Sequence, residues 1–416
     1  MKVDRKKEIV FYNPSNSLGG AELLFSRLAD RLADKGVSIY YVDYSSGYAR
    51  TNYNGTKVKF IIKDDSHKIL LPIGSTVILP ANYIFHVKSL ITNYTDLHFV
   101  FWMVHPLNVI SNLFLFKHIT LLAPRVRKIV GRQLKELTDS GALFFMDYST
   151  YITNSNFFDF KLSKRCYLPI PIEIPLEPIV FNKQTPIDFL PFRIAWLGRI
   201  DGDKYRSIEL IIMELESYSQ TSSIEFYIIG IGSELDRLKD LASKMNFPIY
   251  FTGKLVNTDL KDFIANKVDL GVAMGTSALE IAKLRKPVVM IDLYDKKYKA
   301  NTIKYSLLHQ IYEYSLGSLY PLLDGEKRNY RFKDVMDLVL NDYDHYADLD
   351  YQYVKQNHDI DNVTLLLYNK IYSGMTEGQN STLQNLDKLE EVYLVRKKSI
   401  IYKTIIYIRL FLRKFN

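Results

Sequence analysis

The sequence predicts an α/β protein made of two Rossmann-like domains, each a parallel sheet flanked by helices, followed by a helical C-terminal tail. Three observations carry this. Short apolar runs alternate with helical stretches through both halves of the chain, which implies right-handed βαβ crossovers and parallel strands. A proline-rich stretch (Pro169, Pro171, Pro175, Pro178, Pro186 and Pro191) separates the halves, and proline excludes an ordinary helix or central strand there. The length of 416 residues suits two domains. The expected boundaries are residues 1–170, a linker at 171–192, residues 193–345, and C-terminal helices over 346–416.

In the first half the strands are expected at Ile9–Tyr12, Ser38–Asp43, Lys57–Ile62, Thr76–Leu79 and Phe99–Val104. Helices are expected at Ala21–Lys35, closed by Gly36, and at Pro124–Leu137. In the second half, strands at Arg193–Leu197, Ile224–Ile229, Ile249–Thr252, Val268–Ala273 and Pro287–Ile291 alternate with helices at Ser207–Ser217, Glu234–Lys244, Asn257–Ala265 and Ser277–Leu284. Beyond about residue 330 the chain reads as helical, with a polar loop at Gly374–Asp387. Two such sheets on a rigid linker imply a cleft between their C-terminal strand edges, where open α/β sheets bind ligands.

Bulk composition narrows the function classes. Hydrophobic residues make up 47% and charged residues 24%, ordinary for a globular protein and unlike a disordered one. The single cysteine, Cys166, excludes an internal disulfide and fits a reducing compartment. The N-terminal MKVDRKKEIVFYN lacks the apolar region of a secretory signal, and no apolar run of about 18 residues is present to span a bilayer. Of the net charge of +8, seven units come from Arg396, Lys397, Lys398, Lys403, Arg409, Arg413 and Lys414, and no acidic residue follows Glu391. The rest of the chain is near neutral, which argues against nucleic acid as a partner. Residues 396–416 mix these cations with Ile, Leu, Phe and Tyr, the pattern of a helix lying on an anionic membrane surface. The expected location is cytoplasmic and peripheral to the membrane.

Three segments carry candidate chemistry. In Asn13–Glu22 (NPSNSLGGAE), Gly19 and Gly20 let backbone approach a bulky ligand, and the helix that follows would favour a phosphate at its N-terminus. It is neither GxGxxG nor GxxxxGK(S/T). In Leu197–Lys204 (LGRIDGDK), Arg199 and Lys204 are read on the loop leaving the first strand of the second domain. Two fixed cations there would stabilise the charge that builds on a departing diphosphate. Asp201 and Asp203 spell DxD, but turns are rich in Asp and Gly, and no metal is expected. In Asp269–Glu280 (DLGVAMGTSALE), Gly275, Thr276 and Ser277 form a turn opening a helix. Glu280, read in its first turn, either favours the helix dipole or accepts from a ribose diol.

Taken in order, GGAE after the first strand, GR-x4-K after the linker, IIGIGSE at Ile228–Glu234, FTG at Phe251–Gly253 and GTSALE-x6-PVV resemble glycosyltransferase family 4, retaining enzymes of GT-B fold. The resemblance covers roughly residues 8–292. It implies a nucleotide-sugar donor and a hydroxyl acceptor, a glycan or lipid-linked oligosaccharide of a bacterial surface polysaccharide such as lipopolysaccharide or capsule, with no metal or other cofactor. Arg199 and Lys204 would hold the donor diphosphate. Gly275, Thr276 and Ser277 would offer backbone N–H groups, and Glu280 would hold the ribose. Lys254 and Leu255 would contact the base. Gly19 and Gly20 would line the donor–acceptor junction. His105, in FWMVHP at the end of a buried strand, would sit near the donor sugar, its bland alternative being a core histidine.

The chain departs from the family in two places. The second glutamate of the family's paired-glutamate signature is Glu280, but the first would fall on Val272. The glycine-rich stretch expected after Ile291 is also missing. A non-catalytic GT-B partner of another transferase, or a GT-B nucleotide-sugar epimerase, is therefore the alternative reading.

Overall fold

The computed structural model describes residues 8–17, 19–113, 123–175, 191–320, 322, 325–374 and 379–398. The tail residues Lys403, Arg409, Arg413 and Lys414 and the linker residues Pro178 and Pro186 lie outside them. The chain forms two compact units, Met1–Pro171 with Val363–Asn416, and Ile172–Asn362.

Unit 1 runs β1 (Glu8–Tyr12), α1 (Gly20–Asp34), β2 (Ser38–Asp43), α2 (Tyr48–Asn52), β3 (Val58–Ile62), β4 (Thr76–Pro80), α3 (Val87–Leu90), β5 (His98–Met103), α4 (Ala123–Asp139), β6 (Leu143–Phe145) and α5 (Tyr148–Phe158). Among the described residues its sheet has six strands in the order β3-β2-β1-β4-β5-β6, every pairing parallel. Helices on both faces explain the continuous apolar strands such as IVFY of β1 and TVILP of β4, since strands buried on both sides have no polar face. Helix α1 buries the stripe Leu24, Phe25, Leu28, Ala29, Leu32 and Ala33, the spacing of one helical face. Its end is a Schellman turn. Gly36 sits at φ +87°, its N–H donates to Ala33 O, and the N–H of Val37 donates to Leu32 O, which satisfies carbonyls the helix leaves open.

Unit 2 runs β7 (Phe192–Leu197), α6 (Gly202–Ser219), β8 (Ile224–Ile229), α7 (Leu235–Ala242), β9 (Ile249–Gly253), α8 (Asn257–Lys267), β10 (Leu270–Ala273), α9 (Thr276–Ala282), β11 (Val288–Met290), β12 (Ser306–Leu307), α10 (Phe332–Asn341) and α11 (Tyr343–Asn357). Its six described strands follow the order β12-β11-β10-β7-β8-β9. All pair in parallel except β12, an antiparallel edge strand. Both units therefore share the doubly-wound order 3-2-1-4-5-6. Fully buried Asp350 of α11 accepts from the backbone N–H of Val288 at 2.7 Å and pairs with His309 Nδ1 at 2.6 Å, fastening α11 to the β11 side of the sheet.

Helices α12 (Ile360–Gly374) and α13 (Gln379–Lys398) are the last elements among the described residues. The expected polar loop at Gly374–Asp387 is corrected here, because from Gln379 onward it is helix. Thr382, Asn385, Leu386 and Leu389 are buried, at the spacing of a single helical stripe, and α13 packs against α4 within unit 1. Each unit also buries one tryptophan with its indole N–H satisfied. Trp102 donates to Leu168 O at 3.0 Å, and Trp196 to Gly198 O at 3.3 Å.

Candidate functional site

In a sheet of this order, ligands bind at the carboxyl ends of the strands where the winding reverses. In unit 2 that point lies between β7 and β10. The strand β7 delivers Gly198–Asp201, β8 delivers Gly230–Glu234, and β10 delivers Met274 and Gly275. The ends of β7 and β8 are held close. Gly198 N–H donates to Ile229 O, Ile200 N–H to Ile231 O and Glu234 N–H to Ile200 O, at 3.0, 3.0 and 2.9 Å. A Cβ on Gly230 would lie 1.9 Å from the Gly198 carbonyl oxygen, so only glycine fits.

Arg199 is 70% exposed in its side chain, and Nη1 donates to Asp201 Oδ2 at 2.7 Å. Lys204 is not on the loop as expected. Helix α6 begins at Gly202, with Asp201 as its extended N-cap residue, and the Asp201 carbonyl accepts from the N–H groups of Lys204 and Tyr205 at 2.9 Å each. Lys204 is therefore in the first turn. It is half-buried, and its ammonium has no hydrogen-bond or ion-pair partner among the described residues. Desolvation, with Arg199 nearby, pulls its pKa below the ordinary lysine value against the opposing pull of Asp203 and Asp201.

Gly275 is the N-cap of α9 at φ +62°, ψ −146°, a conformation open essentially only to glycine. Its N–H donates to Leu316 O, so of the three backbone donors expected here, Gly275 is already used. Thr276 and Ser277 open the helix, where N–H groups have no intrahelical acceptor. Glu280 is the fifth residue of α9, past the first turn where it was read, which weakens the helix-dipole explanation. Its Oε2 lies 2.5 Å from Lys283 Nζ. Val272 is fully buried in β10, paired with Trp196 of β7 and Val289 of β11. Met274 and Gly275 alone separate β10 from α9, so a residue eight positions before Glu280 must fall inside the strand.

Lys254 is exposed and Leu255 half-buried just beyond β9, after Gly253 at φ +75°. Near them are two apolar residues the sequence reading gave no role, Ile231, 52% exposed after β8, and Val256, 48% exposed after β9. A flat heteroaromatic ligand would cover such a surface. Lys283 was also missed, although its spacing from Glu280 is that of a helical ion pair. Among the described residues, no group of three or more His, Cys, Asp or Glu side chains could hold a metal ion.

Gly19, Gly20 and His105 belong to unit 1, at the carboxyl ends of β1 and β5. Gly19 is the N-cap of α1 in an extended conformation, with no side-chain cap. Glu22, three residues on, folds back over it, so that a Cβ on Gly19 would lie 2.5 Å from Glu22 Oε2. The phosphate expected at this helix start would meet that carboxylate. His105 lies in an exposed turn beyond β5, not in the core. Its Nδ1 accepts from the N–H of Leu107 at 3.1 Å, and its own N–H donates to Asn108 Oδ1 at 2.8 Å. Desolvation of the ring edge within this turn lowers its pKa, and Nδ1 acting as acceptor leaves Nε2 to carry the proton of the neutral ring.

Among the described residues no helix is long and apolar enough to cross a membrane. By sequence alone the chain matches no protein-family model and no curated protein. By structure it is similar to a glycosyltransferase from Rickettsia africae, with a TM-score of 0.60 and 12% identity over 90% of this chain and 100% of the other. It is likewise similar to the lipopolysaccharide outer core galactosyltransferase WaaB in its apo form, with a TM-score of 0.54 and 12% identity over 88% of this chain and 100% of the other. Likeness at this identity speaks to architecture, and together with the two sheets described above it establishes that the chain has the GT-B fold, two Rossmann-like units with a helical C-terminal part.

Proposed function

We propose that the protein is a glycosyltransferase that moves a hexose-type sugar from a nucleotide-sugar donor to a hydroxyl acceptor, without a metal ion and with retention. The observation that carries this reading is Lys204, a half-buried lysine next to Arg199 at the switch point of unit 2, whose ammonium makes no hydrogen bond or ion pair among the described residues and whose desolvation outweighs the pull of Asp201 and Asp203. A cation drawn out of water without a direct partner is stabilised when an anion binds it. A donor diphosphate supplies that anion, and its charge grows as the nucleotide leaves, so the two cations bind the transition state more strongly than the ground state.

The other roles follow from position. Arg199 must leave Asp201 to reach the phosphates. Thr276 and Ser277 offer the free N–H groups at the start of α9. Glu280 takes the ribose diol while Lys283 holds its carboxylate in place. Lys254 and Leu255, with Ile231 and Val256, cover the base. Gly19, Gly20 and His105 belong to the acceptor side in unit 1, with His105 near the donor sugar. We take the acceptor to be a lipid-linked glycan of a bacterial surface polysaccharide, met at the cytoplasmic face of the membrane. The likeness in fold to a lipopolysaccharide galactosyltransferase and the basic segment 396–416 support that choice.

The test is a thermal-shift panel of UDP-, GDP-, ADP- and dTDP-sugars, with and without divalent metal, on the wild type and Arg199→Ala. Ligands that bind only the folded state raise its apparent stability. One nucleotide series is expected to raise Tm without metal, and Arg199→Ala is expected to reduce that shift. No shift from any series, or an equal shift in the variant, would overturn the assignment.

A further inference from the structure

The loop that leaves the carboxyl end of β11, residues 292–305, is strongly basic on its outer side. Lys296, Lys297 and Lys299 are exposed, with Lys304 at the far end, and none of them makes an ion pair among the described residues. The acids around the loop are engaged elsewhere. Asp292 pairs with Arg328 at 2.8 Å and Glu209 with Arg206 at 2.5 Å, while Glu214 accepts from the N–H of Asn301 at 2.7 Å. The one exposed acid of the loop, Asp295, accepts from the N–H of Lys296 at 2.6 Å.

The loop is pinned to the fold. Arg206 Nη2 of α6 donates to Tyr298 O, and Ser207 Oγ donates to Asp292 O at 2.8 Å. The rings of Tyr294, Tyr298 and Tyr320 pack together, with centroids 4.7 Å apart for Tyr298 and Tyr320 and 5.3 Å for Tyr294 and Tyr320. Tyr294 is buried, and the other two are half-buried. Lys297 Nζ lies 5.1 Å from the centre of the Tyr298 ring. Leu319 is brought alongside, because Leu293 N–H donates to Ser318 O and Tyr320 N–H to Leu293 O, at 2.8 Å each. Its side chain is 69% exposed. The surface thus combines unpaired cations, amphipathic rings and an apolar side chain in water. A soluble polyanion would satisfy the lysines and leave Leu319 in water. An anionic bilayer takes all three, since headgroup phosphates meet the ammonium groups, tyrosine rings suit the headgroup level, and a leucine enters the acyl boundary.

We infer that the β11–β12 loop, through Lys296, Lys297 and Lys299 with Leu319 beside them, docks unit 2 on an anionic bilayer, as a contact separate from the basic segment 396–416. The loop leaves the same sheet edge that carries Arg199 and Lys204. Taking the acceptor from that bilayer rests on the transfer reaction proposed above; the docking itself does not. The test is co-sedimentation of the full chain with vesicles of phosphatidylcholine, alone and mixed with phosphatidylglycerol. Binding is expected to the mixed vesicles only. Each lysine at an anionic surface strengthens partition about fivefold, so replacing Lys296, Lys297 and Lys299 together with glutamine is expected to weaken it at least about tenfold. All three are exposed, so Tm should barely change. Leu319→Ser is expected to weaken vesicle binding about fivefold and to leave binding to heparin, a soluble polyanion, unchanged. A variant with Lys403, Arg409, Arg413 and Lys414 replaced by glutamine is expected to keep the loop-dependent binding. No binding to mixed vesicles, wild-type binding in the triple loop variant, or binding abolished by the tail substitutions alone would overturn the inference. So would a Leu319→Ser variant that binds vesicles as tightly as the wild type. Nucleotide shifts measured on the same samples separate the two readings. Nucleotide shifts without vesicle binding would sink this inference alone, and loop-dependent vesicle binding without nucleotide shifts would sink the transferase reading alone.

Discussion

Replacing Lys204 with methionine separates a functional lysine from a structural one, because it moves stability and binding in opposite directions. In the free protein the ammonium is half-buried, lies in the first turn of α6 and has the like charge of Arg199 nearby. A cation at a helix N-terminus opposes the macrodipole by about 0.3–1 kcal/mol, and desolvation adds to that penalty. Methionine keeps the unbranched chain and removes the charge, so the variant should gain about 0.5–1 kcal/mol. For a unit of this size that raises Tm by about 1–4 °C. Binding should move the other way. A charge-assisted hydrogen bond contributes about 1.5–3 kcal/mol, so nucleoside diphosphate affinity should fall by about 10- to 150-fold. The pH dependence fixes the sign independently. The folded pKa of Lys204 lies below its ordinary value of 10.5, so the unfolded chain binds more protons between the two values, and stability rises with pH across that window. The penalty is whole below the folded pKa and fades as pH climbs towards 10.5. The advantage of methionine over wild type should therefore shrink between neutral pH and pH 10. Calorimetry from pH 7 to 10 and titration with UDP and GDP read both effects. A lowered Tm, or diphosphate affinity within twofold of wild type, would refute the reasoning.

Two further outcomes follow from packing. Gly230→Ala places a methyl group 1.9 Å from the Gly198 carbonyl oxygen. That neighbour is backbone and cannot rotate away, so the ends of β7 and β8 must part. Weakening two or three hydrogen bonds there should cost about 2–3 kcal/mol, read as a lower midpoint in urea, along with loss of nucleotide binding. Val272→Glu, which writes in the family's first glutamate, buries an unpaired carboxylate between Trp196 and Val289. It should destabilise unit 2 by about 3–5 kcal/mol with no gain in sugar transfer, and a stable variant with raised turnover would show that the position can face a ligand.

Strand placement was the most legible part of the fold. Ser38–Asp43 and Ile224–Ile229 match their strands residue for residue, because buried parallel strands are unbroken apolar runs between turn residues. Short or aperiodic elements were not legible. Strand β6 is only Leu143–Phe145. Helix α5 buries Tyr148, Ser149, Thr150, Tyr151, Asn154, Ser155 and Phe158, residues all around its axis, so no amphipathic period shows. Helix α13 did carry a stripe at Thr382, Asn385, Leu386 and Leu389, masked by a composition of Gln, Asn and Ser that reads as loop. In the site, Arg199 and Lys204 stood out as two cations beside a glycine turn. The start of α6 did not, since Gly202 and Asp203 spell a turn, and Gly202 became helical only because the Asp201 carbonyl caps the two N–H groups beyond it. The use of the Gly275 N–H by Leu316 was beyond reach, because a bond between residues so far apart in sequence leaves no local pattern.

The repeated strand order lets the same helix start be compared in the two units. Helix α1 after β1 and helix α6 after β7 occupy the same place in the same topology, and backbone geometry alone would make each an anion site. The side chains decide otherwise. At α6 the chain supplies Arg199 and an unpaired Lys204, and it accepts the cost of a lysine in the first turn. At α1 the corresponding turn carries Glu22, folded over Gly19, with no free cation among its described neighbours. A carboxylate there stabilises α1 through the dipole and repels a phosphate, whereas a cation at α6 does the reverse on both counts. Stability alone would select acids at both helix starts, and the first turn of α6 carries one too, Asp203, beside Lys204. Lys204 departs from that expectation, and the diphosphate site proposed above rests on that departure.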